Sequence, residues 1–327
     1  MLQYSLKKSD FNRFVNTIKK NSDFIGPIQG DQTKKVSQSF FKNIDSVEEL
    51  YLNKKTYYPV KNFFFDNKET IFEFNGNKVI DPKITLRPRV FFGLRRCDLN
   101  GIMHQDTVFL EENTDPFYKA RRDASILIGL HCKKGDDYCF CNSIELKDFF
   151  DLMFYDKCKT YAIEVGSKKG EEFVKKYKNF FKVAENVIKD ADRKTENKRS
   201  LNTLEIKGYY QNNDWKKGAE ACISCGACNF LCPNCHCFDF EDEINFDLKT
   251  GKRIRKPASC QLRSFTRVAG DHIFRDARLA RFKHRIYHQI QYFKDRHGVV
   301  FCTGCGRCIE GCPSRIDWVE IINEMKK

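Results

Sequence analysis

Six cysteines lie within the sixteen residues CISCGACNFLCPNCHC, positions 222–237 of the 327-residue chain. Four of them follow the spacing Cys-x2-Cys-x2-Cys-x3-Cys-Pro, and the same spacing recurs once further along. The two motifs consist of Cys222, Cys225, Cys228 and Cys232, and of Cys302, Cys305, Cys308 and Cys312. In bacterial ferredoxins this spacing lets three thiolates bind one iron–sulfur cubane, while the fourth cysteine ligates the neighbouring cluster.

Two such motifs exchange their last ligands, which predicts two [4Fe-4S] clusters. The first is assigned to Cys222, Cys225, Cys228 and Cys312, and the second to Cys232, Cys302, Cys305 and Cys308. Zinc is the alternative, but zinc ribbons rarely use three evenly spaced cysteines followed by Cys-Pro, and here the pattern occurs twice. About seventy residues of mostly helical pattern separate the motifs. This separation favours cluster loops between helices over the hairpins of a small ferredoxin.

Three cysteines of the same region are left over: Cys235, Cys237 and Cys260. We interpret them as buried thiols that line the cluster pocket, because a free cysteine behaves as a small apolar side chain. A further metal site is the alternative. It would lack an obvious fourth ligand, although His236 lies between two of the three.

Cysteines also follow two predicted strands in the N-terminal half. The apolar runs RVFFGL (89–94) and SILIGL (125–130) are separated by a span long enough for a helix, which predicts a parallel βαβ unit. Cys97 follows the first strand and Cys132 the second, and sites in parallel sheets form beyond the carboxyl ends of strands. The four candidate ligands of a third site, a [4Fe-4S] cluster or zinc, are Cys97, Cys132, Cys139 and Cys141. The alternative is four unconnected core cysteines.

The pattern of predicted elements indicates a mixed α+β protein with two domains. Residues 1–195 are expected to form an α/β domain with a mainly parallel sheet, and residues 196–327 an α-helical ferredoxin domain that holds the two clusters. The segment SDFNRFVNTIKKN predicts an amphipathic helix, and KNFFFDNKETIFEFNGNKVI predicts two strands around a turn at Asp66-Asn67. The polar stretch 189–203 is the best linker candidate.

The composition favours a globular protein of a reducing compartment. Hydrophobic residues make up 41% of the chain, and neither a signal-peptide core nor a run of about 20 apolar residues is present, so we expect a cytoplasmic location. Sixteen cysteines there indicate metal ligands rather than disulfides. The net charge is +14, and part of the excess is concentrated in residues 251–285, with eleven Lys/Arg against two Asp/Glu. We expect this segment to pack beside the clusters and dock a partner, since no nucleic-acid recognition motif accompanies it.

Several segments resemble one known family over nearly the whole chain. They include FFGLRRCDLNGI, DPFYKARR, DDYCFCN and CISCGACNFLCPNCHCFDFED, and the match continues through FCTGCGRCIEGCPSRID. The chain is similar to the β subunit of the cytosolic sulfhydrogenases, which are NAD(P)-linked [NiFe] hydrogenases; the A subunit of anaerobic sulfite reductase has the same layout. The family's ferredoxin ligands coincide with the eight cysteines assigned above. Its Cys-Asp and Cys-Phe-Cys elements fall on Cys97-Asp98 and Cys139-Phe140-Cys141.

The resemblance implies an electron-transfer subunit between a flavin subunit that reacts with NAD(P)H and a terminal catalytic module. The first two segments favour a hydrogenase over a sirohaem sulfite reductase as that module. A flavin-binding oxidoreductase in its own right is the competing class. The sequence contains no G-x-G-x-x-G after a strand, no P-loop, and no nucleophile or paired carboxylates beside its histidines. We therefore expect no self-sufficient catalytic site.

Overall fold

The structure is a computed structural model that describes residues 3–30, 38–185 and 187–326. In these ranges the strands are β1 (Gln3–Lys7), β2 (Asp23–Gln29), β3 (Ser39–Asn43), β4 (Glu69–Asn75), β5 (Lys78–Ile80), β6 (Arg89–Leu94), β7 (Ser125–Leu130), β8 (Leu152–Lys157), β9 (Thr160–Val165), β10 (Lys182–Val183), β11 (Phe238–Ile244) and β12 (Thr250–Pro257). The helices are α1 (Phe11–Lys19), α2 (Arg96–Leu110), α3 (Pro116–Asp123), α4 (Lys168–Lys176), α5 (Trp215–Ala221), α6 (Ala227–Phe230), α7 (Arg278–Tyr287), α8 (Phe293–His297), α9 (Arg307–Glu310) and α10 (Trp318–Glu324). None of the helices in the described ranges is both long and apolar enough to cross a membrane.

The chain divides into two units, each made of two stretches. The first unit comprises Met1–Val60 and Leu86–Arg199, and the second comprises Lys61–Thr85 and Ser200–Lys327. Residues 61–85 were predicted to lie in the N-terminal domain. They belong to the second unit because β4 pairs with β12, which comes from the C-terminal part of the chain.

An eight-stranded sheet forms the centre of the first unit, in the order β10-β1-β9-β8-β7-β6-β2-β3. The four strands β8, β7, β6 and β2 run parallel, whereas the outer pairings are antiparallel. The sheet is therefore mixed, with a parallel middle. The predicted βαβ unit is confirmed, because β6 and β7 pair in parallel and α2 and α3 lie in the connection between them. All six residues of β6 are buried, as expected for a strand in the parallel middle of a sheet.

One face of this sheet is covered by α1 and α4. The predicted amphipathic helix is present as α1, and its buried residues are Phe11, Phe14, Val15 and Ile18. The ring of Phe14 meets those of Phe173 and Tyr177 edge to face, with centroids 6.2 and 6.0 Å apart. Phe92 of β6 packs against the ring of Phe11 at 4.9 Å. This aromatic core anchors the strands at whose carboxyl ends Cys97 and Cys132 follow.

A four-stranded antiparallel sheet, in the order β11-β12-β4-β5, belongs to the second unit. Its hairpin β11–β12 lies between the two cysteine motifs, so the predicted mostly helical pattern of this region does not hold for residues 238–257. Opposite charges stabilise the hairpin, since Arg253 pairs with Asp242 at 2.7 Å and Lys256 pairs with Glu241 across the strands. The first strand predicted near Asp66 is also wrong, because that stretch forms a 3-10 turn (Val60–Phe63) before β4.

Short helices carry the cysteine loops of the second unit. The first motif begins at the end of α5 and continues into α6, and the second motif continues into α9, which packs against α6. A π-helical turn, His288–Tyr292, joins α7 to α8. The carbonyl of Gln289, which lies in this turn, accepts from the amide of Cys302 at 2.9 Å. The irregular turn thus holds the start of the second motif.

Candidate metal centre

The two cysteine motifs fold into loops with matching backbones. In each loop a short helix begins after a glycine in the left-handed conformation: Gly226 (φ 79°) precedes α6, and Gly306 (φ 70°) precedes α9. An L side chain at Gly226 would be strained at this φ, and its Cβ would lie only 2.9 Å from Oγ of the buried Ser259. Glycine therefore allows the sharp turn between the second and third cysteine of each motif.

A backbone N–H group points at the first sulfur of each motif. The amide of Ser224 donates to Sγ of Cys222, and the amide of Gly304 donates to Sγ of Cys302, each at 3.4 Å. Such a bond favours the charged thiolate over the neutral thiol, because it stabilises the negative sulfur. The same contact at equivalent positions indicates that both loops are built to present a ligand thiolate.

The last cysteine of the second motif lies with the first motif. Cys222, Cys225 and Cys228 line one cavity, and Cys312 lines the same cavity. These four are the residues that the crossed spacing predicts as ligands of the first cluster. Cys308, which is predicted for the second cluster, also reaches this cavity, so the two groups of thiols adjoin.

The last cysteine of the first motif lies, in turn, with the second motif. Burial raises the pKa of Cys308 to about 11, and the nearby thiols of Cys305 and Cys232 also raise it. Burial likewise raises the pKa of Cys302, with further contributions from Cys308, Cys305 and Cys232. Without metal the thiols of Cys308 and Cys302 would be neutral, so metal binding at these two residues must release protons. The indole N–H of Trp318 donates to Sγ of Cys308 at 3.3 Å, which favours the thiolate.

A buried guanidinium lies among the cysteines of both motifs. Burial opposes the charge of Arg285, yet the thiols of Cys235, Cys232 and Cys228 raise its pKa well above the ordinary value. Its Nη2 donates to the carbonyl of Cys228 at 3.2 Å, and its buried Nε makes no hydrogen bond within the described protein. A buried cation is unfavourable without negative charge nearby. The thiolates and sulfides of an iron–sulfur cluster would supply both the charge and the missing acceptor.

The predicted ligands differ in exposure. Cys225 is exposed, and its neighbour Ile223 is 64% exposed, whereas Cys232, Cys302 and Cys305 are buried. Electron transfer between proteins requires that one centre lie near the surface. The Cys225 side of the first motif meets this condition.

The cysteines fit a polynuclear cluster better than a single zinc ion. A cubane distributes its four ligands over four iron corners. The spacing in sequence and the buried Arg285 agree with this reading.

Comparison with known proteins identifies the family. A family model described as a 4Fe-4S dicluster domain matches residues 221–316. Sulfhydrogenase 2 subunit beta of Pyrococcus furiosus is 33% identical over 346 aligned positions, which cover 100% of this chain and 99% of the relative. The chain belongs to the sulfhydrogenase β-subunit family. No solved structure matches it.

Membership of the sulfhydrogenase β-subunit family confirms the resemblance drawn from the motifs. Together with the dicluster domain, it makes the chain an iron–sulfur electron-transfer subunit that binds [4Fe-4S] clusters.

Sequence reasoning missed the polar residues that surround the thiols. Lys61, which is about 160 residues before the first motif, donates to the carbonyls of Asn229 at 2.8 Å and Cys235 at 2.9 Å. Burial lowers the pKa of Lys61, and the thiols of Cys235 and Cys232 counteract that effect. Asn229 was part of the motif, but nothing in the spacing distinguishes it from the other residues between cysteines. Neither residue has a local signal that would have identified it.

The four N-terminal cysteines of this sulfhydrogenase β-subunit homologue occupy different settings. Cys97 lies in the first turn of α2, and Cys132 lies in the wall of a cavity of about 390 Å³ whose described lining includes none of the other three. The amide of Cys139 donates to the carbonyl of Asp136 at 3.0 Å. The side-chain oxygen of Asn197 accepts from the amide of Cys141 at 2.8 Å. A shared metal centre at these four residues stays a prediction.

Proposed function

We propose that this chain relays electrons through two [4Fe-4S] clusters with exchanged ligands. The first cluster is bound by Cys222, Cys225, Cys228 and Cys312, and the second by Cys232, Cys302, Cys305 and Cys308. One observation carries this assignment: Cys312 lines the same cavity as the first three cysteines of the other motif. Cys308 of the second motif reaches this cavity as well, so the assignment rests on the ferredoxin spacing together with the position of Cys312.

The clusters, when bound, supply reversible one-electron transfer, and the polypeptide sets the conditions for it. The amides of Ser224 and Gly304 and the indole of Trp318 donate to ligand sulfurs. Such donors, together with the buried positive charge of Arg285, stabilise the more negative reduced state and so raise the reduction potential. The exposed Cys225 offers a short path for electrons to or from a partner.

The electron partners follow from the family. The relative is named as a subunit of a sulfhydrogenase. We infer that the donor or acceptor on one side is a flavin subunit that reacts with NAD(P)H, and that the terminal module on the other side is a [NiFe] hydrogenase. A sirohaem sulfite reductase is the alternative terminal module. The chain itself would then be one subunit of an oxidoreductase complex and not a complete catalyst.

Anaerobic purification of the full chain tests the cluster content. We expect at least eight iron and eight acid-labile sulfide per chain, and two interacting spin-half centres in the reduced protein. Visible absorption should show a broad shoulder without the resolved bands of a flavin. A chain that holds one zinc and no sulfide would overturn the relay, and bound flavin would favour an oxidoreductase in its own right.

We also propose that the N-terminal cysteines Cys97, Cys132, Cys139 and Cys141 bind a further cluster. The support is their position after adjacent parallel strands and in the loop that follows. The double variant Cys139→Ser/Cys141→Ser should lower the iron content by about four per chain if the site exists. Unchanged iron would make this part of the chain a scaffold only.

A further inference from the structure

The three cysteines that the ferredoxin motifs leave over converge on one side chain. Nδ2 of Asn229 lies 3.2 Å from Sγ of Cys260, 3.6 Å from Sγ of Cys235 and 3.7 Å from Sγ of Cys237. Since one nitrogen reaches all three sulfurs, no two of them are more than about 7 Å apart. Cys235 and Cys237 follow α6, and Cys260 follows β12, so this is a tertiary arrangement and not a local repeat.

The amide of Asn229 is held in a single orientation. Its Oδ1 accepts from Oγ of the fully buried Ser259 at 3.0 Å, which leaves Nδ2 to face the thiols. Backbone pairing also fixes the loop, because the amide of Ala258 donates to the carbonyl of Cys237 at 2.8 Å. Hydrogen bonds therefore hold both the amide that faces the three sulfurs and the backbone of the loop that carries Cys237.

Further donors point at the same sulfurs. Nε2 of Gln289 lies 3.6 Å from Sγ of Cys235, and Nε2 of Gln261 lies 3.8 Å from Sγ of Cys260. Both glutamines and Asn229 are about 2% exposed. A neutral thiol is a weak acceptor, so three buried amides directed at it would gain little. A metal-bound thiolate is a strong acceptor, and such a shell of N–H donors is what it requires.

Positive charge lies beside the same group. The ammonium of Lys61 donates only to backbone carbonyls, those of Asn229 and Cys235, and no carboxylate of the described residues forms an ion pair with it. The buried Arg285 lies near Cys235 as well. Two cations in such surroundings need negative charge, and the three thiolates with a bound centre would provide it.

We propose that Cys235, Cys237 and Cys260 bind an additional iron–sulfur cluster, separate from the one proposed at the N-terminal cysteines, through three thiolates, with Asn229 as a positioning residue and Lys61 as the counter-charge. Nδ1 of His236 lies 3.2 Å from the carbonyl of Asn234, and its ring packs on those of Phe301 and His288. The fourth position of the cluster is left to a non-cysteine ligand or is absent, as in a three-iron cluster. This centre is additional to the two clusters of the proposed relay, and the proposal does not depend on the function of those two clusters.

The test compares metal content between variants of the full chain, purified anaerobically. The triple variant Cys235→Ser/Cys237→Ser/Cys260→Ser should lose about three to four iron and the matching sulfide, while the ferredoxin spin signals persist. The matched control is Cys158→Ser, which removes an exposed thiol in the β8–β9 turn and should leave iron unchanged.

A second variant guards against misfolding of the triple variant. Cys237→Ser alone changes a half-buried thiol and should still remove the extra component from the Mössbauer spectrum. Native mass spectrometry should show the corresponding loss of mass. Equal iron and sulfide in the wild type, the triple variant and Cys237→Ser would overturn the cluster at Cys235, Cys237 and Cys260 and leave the relay intact. A wild type without any sulfide would overturn both.

Discussion

The guanidinium of Arg285 donates to the carbonyl of Cys228 at 3.2 Å from a position buried among thiols of both cysteine motifs. Residues 251–285 were expected to pack beside the clusters, and the structure separates this segment into two parts. Arg253, Arg255 and Lys256 pair with acids within the four-stranded sheet, at Asp242, Glu69 and Glu241. Arg281 and Arg285 are buried in α7. Only the second part is placed to act on the metal centres.

Replacement of Arg285 by Gln should lower the reduction potential of at least one cluster. A unit charge several ångströms away, at an effective dielectric constant near 20, contributes roughly 2–3 kcal/mol, which corresponds to about 100 mV for one electron. The sign follows from charge, since the reduced cluster is the more negative state and loses more when the cation is removed. Redox titration of the anaerobic protein, followed by electron paramagnetic resonance, measures the shift.

Two variants serve as controls for this shift. Arg285→Lys keeps the charge and should retain most of the potential, and Arg253→Gln removes an exposed arginine paired with Asp242 and should change it little. If Arg285→Gln and Arg253→Gln gave equal potentials, the charge of Arg285 would have no role in tuning the clusters.

Replacement of Cys312 by Ser tests the exchange of ligands. Because Cys312 lines the cavity of Cys222, Cys225 and Cys228, we expect the variant to damage the cluster of the first motif. One of the two spin signals should change, and it should be the same signal that Cys225→Ser changes. Should Cys312→Ser instead alter the signal that Cys305→Ser alters, each motif would bind its own cluster.

The elements that the sequence predicted best were those in which apolar residues follow a single periodicity and are buried in the core. The βαβ unit around Cys97 and the helix α1 follow directly from runs of buried apolar residues. The hairpin β11–β12 was read as part of a helical region because its exposed faces carry charged residues that suit either structure. Its stability comes from pairing with β4, which is distant in sequence. A pattern within one segment contains no information on such a partner.

The same limit applies to the candidate site. Cysteine spacing predicted that Cys312 would lie with Cys222, Cys225 and Cys228, and these four line one cavity together with Cys308. The assignment of ligands to each cluster stays a prediction. Lys61 and Gln289 approach the thiols from other parts of the fold, and Asn229 acts through the direction of its amide. Donor direction and buried charge arise only when the chain is folded. They are therefore visible in the structure alone.

A methyl group at Gly226 should disturb the first cluster loop. Gly226→Ala pays the cost of a left-handed residue, about 1–2 kcal/mol, and also forces the new Cβ against Ser259 at 2.9 Å. Gly270→Ala is the matched control, because Gly270 has a φ of 75° but no atom within 4 Å of the added Cβ. We expect both variants to lose thermal stability and only Gly226→Ala to lose iron. Equal iron in the two variants would show that the contact with Ser259 is relaxed without effect on the cluster.

Acid should destabilise the protein through His284. Burial, together with Arg275 and Arg285, lowers the pKa of His284 to about 4 from its usual 6.5. Between these values the unfolded chain binds a proton that the folded chain does not, so the free energy of unfolding falls as the pH decreases from 6.5 towards 4. Partial exposure of the ring reduces the effect, and we expect the free energy of unfolding to fall by about 1 kcal/mol between pH 7.5 and 5.5.

In His284→Gln this portion of the pH dependence should vanish, whereas His272→Gln, at an exposed histidine, should keep it. Thermal unfolding of the anaerobic protein at both pH values measures the difference, about 2–4 °C in Tm for a unit of this size. Parallel pH profiles for the wild type and His284→Gln would mean that His284 is protonated equally in the folded and unfolded states.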